Sequence, residues 1–483
     1  ALVVFTVSTN SRNSILVKEY LYVAGGSLAG LSLGVLVLAG VPLRLGRIPR
    51  CAAAALLLVL VLMAAVHFLG PVSSVNGPFT MVSLAALVLM GAFGAAAIKP
   101  RQALSAALAV TALSMAVFIY ALLQSRGVSL FPWDAGLTRT GRVSGSLGNP
   151  NLLGAYAAAM MPLGVSAILA AAPRRKGGLV PAVLFALAAV SAVIVSGTRG
   201  SLIGFFAGSA FLAAWFLARP GVSRRSRILV LAVGAVLAAF AVLPMRSRVS
   251  EVFRDQGESG TARVRKVIWS GGLEMFRERP LAGWGPGSFQ IVFPRYRNPR
   301  YNILGVSHNT LHAHCEYMEI LGDIGIAGLV LWGVFAAAMA RRMRGAGLLE
   351  AGAAAGAFSL LAENLVSVSL RWPPTAWLFA FLCTVYLAGR DAPAARPSRA
   401  TRLFLGSGLA AVSSLACVMC LRLYPGALEA ARLVFRGKDC HLTATEPLMN
   451  SAAGFARAFV TTGDPNAAGA ATDAWASAVL RAD

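Results

Sequence analysis

The sequence predicts an all-α, polytopic membrane protein with about twelve transmembrane helices and one long outward loop. Three observations predict it. Hydrophobic residues make up 57% of the chain and charged residues 13%, where soluble domains carry about a quarter charged, and the mean hydropathy is +0.70. Charge-poor stretches such as AAAALLLVLVLMAAVHFLG (52–70) have the ~20 residues that cross ~30 Å of hydrocarbon at a helical rise of ~1.5 Å per residue. These runs do not alternate apolar and polar positions, as lipid-facing barrel strands must.

In order, the spans read as 19–40, 52–69, 79–98, 103–123, 150–172, 179–196, 201–218, 227–243, 316–340, 347–368, 373–388 and 403–424. The connections sort by charge. Arg44, Arg47 and Arg50 fall in the first, and Lys99 and Arg101 in the third. Arg174, Arg175 and Lys176 follow in the fifth, then Arg219, Arg224, Arg225 and Arg227 in the seventh. Arg341, Arg342 and Arg344 lie in the ninth, and Arg390, Arg396, Arg399 and Arg402 in the eleventh. Every second connection is basic, so these are the cytoplasmic ones and the rest face outward. Residues 1–424 form the membrane domain, including the long loop 244–315. Residues 425–483 form an outward helical tail, whose TTGDPNAAGAATDAWASAVLRAD resembles the opening of a tetratricopeptide repeat. A plain amphipathic helix is the simpler reading, because one copy shows no period. The opening ALVVFTVS reads as the exit end of a preceding span, and no signal peptide is recognisable.

The long outward loop is itself basic, carrying Arg263, Arg265, Lys266, Arg277 and Arg279 among others. Long loops translocate regardless of charge, so the topology stands. Two readings of the charge remain open: contact with anionic headgroups, or a bound anion such as a diphosphate. Nothing points to nucleic acid. Within the loop, TARVRKVIWSGGLEMFRERPLAGWGPGSF (261–289) places Val264, Val267, Ile268, Gly271 and Met275 on one helical face, with Arg265, Trp269 and Phe276 on another. It reads as an amphipathic helix lying along the membrane, stopped by Pro280 and the glycines after it. The six cysteines carry no framework. Cys417 and Cys420 read as packing inside a span.

Three of the five histidines, His308, His312 and His314, lie in SHNTLHAHCEYMEI (307–320). The first two have metal-ligand spacing on a helix. His314 then sits about 200° round from His312, at about 100° per residue, so one helix cannot aim all three at one ion. No HExxH is present. The segment reads as a general base ahead of a polar interface segment, with zinc last.

Four features in order carry a resemblance: GNPN (148–151) opening a span, TRG (198–200) between two spans, Arg265-x-x-x-Trp269 followed by PLAGWGPGSF, and His314 ahead of EYMEILGDIGIAG. Together they resemble the bacterial O-antigen ligase and O-antigen polymerase family, over about residues 15–424. The family's pattern H-[AS]-H-N-x-[YFL]-L is met by HAHCEYM except at Cys315 and Met318. The resemblance implies a GT-C-like membrane glycosyltransferase of the bacterial inner membrane, with its active site on the periplasmic face and neither metal nor cofactor. Its donor is an undecaprenyl-diphosphate-linked glycan, and its acceptor is lipid A core or another lipid-linked glycan. It implies His314 as general base and Arg265 as the second catalytic residue. Around substrate it places Arg199, Arg142, Lys266, Trp269, Asn149, His312, Glu316 and Tyr317. Cys315 removes whatever hydrogen bond the usual asparagine makes.

These residue types suit that chemistry. A neutral imidazole can take a sugar hydroxyl's proton as it attacks, and arginine grips phosphate oxygens while charge grows on the leaving group. Trp269 reads chiefly as an interfacial anchor. Glu363 and Asn364 lie inside a span, where an acid is functional by default unless Glu363 pairs with Arg371. The rival class is a transporter or flippase for lipid-linked glycans, but no internal repeat of the kind transporters carry is visible.

Overall fold

In the computed structural model, the described residues are 14–72, 76–128, 141–172, 175–245, 261–298, 310–389, 392–416 and 418. His308, Cys417, Cys420, Cys440 and the tail 425–483 lie outside them. The fold is all-α, as the sequence predicts. Its helices are α1 (Ser14–Leu38), α2 (Arg50–Leu69), α3 (Gly77–Ala97), α4 (Pro100–Ser125), α5 (Pro150–Ala171), α6 (Arg175–Ser196) and α7 (Arg199–Leu217). Then come α8 (Arg224–Val242), α9 (Thr261–Glu278), α10 (Phe289–Tyr296), α11 (Glu316–Arg341), α12 (Leu348–Glu363) and α13 (Pro373–Ala388). A last helix, α14, starts at Arg399–Thr401 and continues through a π-helical turn at Arg402–Gly406.

Among the described residues, nine helices are long and apolar enough to cross a membrane. The expected spans 347–368 and 373–388 form helices of 16 residues each, α12 and α13. The first of them ends at Glu363 rather than 368, because the chain turns there and re-forms as a 3-10 turn at Ser369–Arg371.

Helix α5 is the hub, with 83% of its apolar window buried and α4, α6, α7 and α12 packed around it. Its composition explains this: an Ala- and Gly-rich surface lets neighbouring backbones approach where hydrophobicity alone gives no drive between helices. A Cβ on Gly356 of α12 would fall 2.5 Å from the Ala159 carbonyl oxygen of α5. Helices α7 and α12 meet as closely, since a Cβ on Gly204 would sit 2.9 Å from the Ser359 carbonyl oxygen and 3.1 Å from Glu363 Cβ. At the periphery α8 exposes Ile228, Leu229, Leu231 and Val236, the apolar surface that a lipid-facing helix presents.

Alternate connections gather at opposite ends of the bundle, as the alternation predicts. At one end Arg44 donates to the Ala392 carbonyl at 3.0 Å, Arg47 to that of Ile98 at 2.6 Å and Arg342 to that of Gly46 at 3.3 Å. The basic connections thus cap one another's helix ends, where cations complement the carbonyl-rich termini. The outward-assigned connections gather at the other end. There the Glu316 amide donates to the carbonyls of Asn364 and Ser367, each at 3.0 Å, and Arg142 reaches Ser196.

Candidate active site

The amphipathic helix expected at 261–289 is α9, with Ile268 and Met275 buried, and it ends before Pro280 as expected. The Gly-rich run after it docks against a break in α11. Ile324 and Gly325 leave helical geometry there, Gly325 at φ +65°, freeing backbone groups on both sides. Trp284 and Gly285 amides donate to the carbonyls of Gly322 and Asp323, both at 2.9 Å, and the Ile326 amide donates to that of Pro280 at 2.8 Å. A Cβ on Gly283, at φ +71°, would lie 2.5 Å from the Asp323 carbonyl carbon. The motif's glycines are therefore demanded by backbone-to-backbone contact.

This docking fixes α9 beside the histidine segment. Trp269 Nε1 donates to the Ala313 carbonyl at 2.9 Å, and the Ala313 amide donates to Glu319 Oε2 at 3.1 Å. Ala313 is fully buried, so the turn is pinned at its centre from two helices. Trp269, expected chiefly as an interfacial anchor, is thus a brace for this turn. His314 has φ +54°, the positive φ that only glycines otherwise show among the described residues. Such a conformation is uncommon for any residue with a Cβ and persists where surroundings impose it. Helical geometry does not separate the histidines, because α11 begins at Glu316 with Cys315 as its N-cap. The left-handed step separates them instead.

On one side of the turn lie the arginines. Burial first, then the charges of Arg265 and His312, push the His314 imidazole down to about 4. Burial also lowers Arg265, whose charge is offset by Glu363 and opposed by Arg199. Arg265, within electrostatic reach of both Arg199 and the His314 imidazole, makes this side favourable for an incoming anion. Arg265 Nε and Glu363 Oε1 are buried without a hydrogen-bond partner. Arg199 opens α7, where the helix dipole adds positive potential. Arg142 donates to the Ser196 carbonyl at 2.9 Å and to Asn151 Oδ1 and Thr198 Oγ1 at 2.7 Å each. Asn149 caps α5, its Oδ1 accepting from the Asn151 amide at 2.8 Å. Arg142 therefore holds the turn that carries Arg199, and Asn149 the start of α5.

On the other side is a cavity of about 530 Å³, lined by His312, Glu316, Tyr317, Glu319, Asp323 and Arg371 at its mouth and by apolar side chains below. His312 Nδ1 lies 2.8 Å from Glu319 Oε1, and Glu319 is 2% exposed. Arg371 Nε donates to both Glu316 oxygens at 3.1 and 2.9 Å, and its Nη1 lies 3.5 Å from Glu319 and 3.4 Å from Asp323. The Tyr317 hydroxyl donates to the Leu361 carbonyl at 2.8 Å. Lys266 is exposed. The expected pair of Glu363 with Arg371 does not form. Glu363 accepts from Ser369 at 2.6 Å and Asn364 at 3.2 Å, while Arg371 is taken by the acids of α11.

So Arg265 is the residue that links this side, within electrostatic reach of His314, Arg199 and Glu363. His312 and Glu316 stand at the cavity instead. Glu319, Asp323 and Arg371 are the site residues that sequence reading passed over. Their signal was there: Glu316, Glu319 and Asp323 at i, i+3 and i+7 share one face of an apolar helix.

Residues 182–333 match the family model Wzy_C, described as O-antigen ligase. The match takes in Arg199, Arg265, Lys266, Trp269, His312, His314, Glu316 and Tyr317, and it bears out the resemblance to the O-antigen ligase and polymerase family. No curated protein matches the chain.

Proposed function

From the O-antigen ligase domain of residues 182–333, we propose that the protein transfers a glycan from an undecaprenyl-diphosphate-linked donor to a saccharide acceptor at the periplasmic face of the bacterial inner membrane. The observation that carries this is Arg265 within electrostatic reach of both His314 and Arg199. The donor's diphosphate sits between the two guanidiniums. Neutral His314 takes the proton from the acceptor hydroxyl as its oxygen attacks C1 of the donor sugar. The C1–O bond to phosphate breaks, and its electron pair leaves on the diphosphate, where Arg265 and Arg199 stabilise the growing charge. Protonating His314 beside Arg265, itself near Arg199, is unfavourable alone. A bound diphosphate offsets their charge, so the base gains strength when the donor is in place.

The test is purified protein in lipid nanodiscs, given donor and acceptor, with product followed by mass spectrometry. His314→Ala and Arg265→Gln each lower transfer by about 10²-fold or more. Translocation of the donor without a new glycosidic bond would overturn the transferase in favour of the transporter.

A further inference from the structure

The two sides of the histidine turn differ in charge, and the cavity side cannot welcome a phosphate. Three carboxylates, Glu316, Glu319 and Asp323, face its mouth against one guanidinium, and Arg371 already contacts all three. An anionic head there would meet carboxylates that outnumber the guanidinium and already occupy it, which is how a site rejects a ligand. What the mouth offers is different. With Nδ1 engaged by Glu319, His312 keeps Nε2 as a hydrogen-bond acceptor for a ligand, and its side chain is 27% exposed. The Trp372 ring lies edge-to-face to His312, centroids 5.8 Å apart, and it also lines the cavity. Aromatic faces pack on the C–H faces of sugar rings, while carboxylates and imidazoles take their hydroxyls. Below the mouth Val59, Met63, Trp332 and Phe335 continue an apolar wall, suited to a hydrocarbon chain. The volume, about 530 Å³, lies within the usual range for a small-molecule site.

We propose that this cavity is the acceptor subsite, taking the uncharged, hydroxyl-rich saccharide end of the acceptor at His312 and Trp372 and its apolar faces against the wall below, while the donor's diphosphate is confined to the arginine side. The proposal rests on the transferase reading only for the word acceptor. His312 is a binding residue here and Glu319 a positioning residue that fixes its ring.

The full chain in nanodiscs is titrated by calorimetry with octyl glucoside below its micelle concentration and, separately, with octyl phosphate, subtracting empty discs. Saturable glucoside binding is expected, weakened about fivefold in Glu319→Gln and in His312→Ala. Octyl phosphate affinity should be unchanged in both and lost in Arg265→Gln, and octyl phosphate should not displace octyl glucoside. Retained phosphate binding shows that the variants are folded, and Glu319→Gln, equal in shape, carries the test if His312→Ala fails to assemble. Absent glucoside binding, glucoside binding indifferent to both variants, or displacement by octyl phosphate overturns the proposal. In the transfer assay the acceptor KM should rise about fivefold in Glu319→Gln, with the donor KM moving less than about twofold. A wild type that binds glucoside but transfers nothing would sink the transferase reading and leave the saccharide subsite standing.

Discussion

At the scale of the residue, His314 is poised by its neighbours. Because burial and Arg265 hold its imidazole down near 4, the basic form is present from mildly acidic pH upward. The sign follows: activity is lost as pH falls through the depressed value, not through the usual imidazole range. The acid limb of kcat/KM, which reports the free enzyme, should lie well below 6. Removing the neighbouring charge in Arg265→Gln should move that limb upward, toward ~6.5, in whatever activity remains. A limb near 6.5 in the wild type would show that His314 does not govern the step. The segment's histidine spacing and the Arg265–Trp269 pair made this side of the site legible in the sequence. Glu319 was not legible in the same way. Its partners, His312, the Ala313 amide and Arg371, converge only after a left-handed step that no residue type at 314 announces. Arg371 lies 52 residues from Glu319 in the chain.

At the scale of the element, α11 carries the site because it is broken. A straight helix would bury its amides in its own ladder, and the run 280–287 would have nothing to dock on. Gly325→Ala places a Cβ about 2.4 Å from the Leu281 carbonyl carbon at a φ of +65°, adding strain of roughly 1–3 kcal/mol before the clash is counted. It should lower the unfolding midpoint in detergent and reduce transfer. A variant as stable and active as wild type would mean that the docked run does not position α9. Apolar periodicity exposed this helix and the amphipathic α9 in the sequence, and the Gly-rich run marked where α9 stops. The break itself has no such mark, since Gly325 is one of four glycines in α11, with Gly322, Gly328 and Gly333, and nothing in the sequence sets it apart. The close meeting of α7 and α12 yields a second expectation. Gly204→Leu should wedge them apart at Glu363 and weaken octyl phosphate binding, without changing glucoside binding.

At the scale of the whole molecule, the alternation of basic connections and the sidedness of the fold agree. Arg44, Arg47 and Arg342 close one end, and the histidine turn stands at the other. Cysteine labelling in intact cells tests the orientation. Cys51, free and exposed at the basic end, should resist a membrane-impermeant maleimide until the cells are permeabilised. A cysteine in place of Gly141, exposed on the opposite side, should react at once, and the reverse pattern would invert the topology. The apolar helices and the charge bias were readable because each is a property of consecutive residues. The division of the outward end into a cationic side and an acidic side was not. It is assembled from α7, α9, α11, α12 and the turn before α13, and no stretch of the sequence contains it.

That division has a thickness, and it is one residue. Ala313, fully buried and held by Trp269 on its carbonyl and Glu319 on its amide, is the septum between the cationic side and the cavity. The spacing of the two imidazoles is then set by neither ligand but by the wall that parts them. Deleting Ala313 would crowd both rings toward one side, and adding a residue would leave the wall with a loose course in it. A sequence can vary what each side holds; the single residue between them is the dimension it must keep.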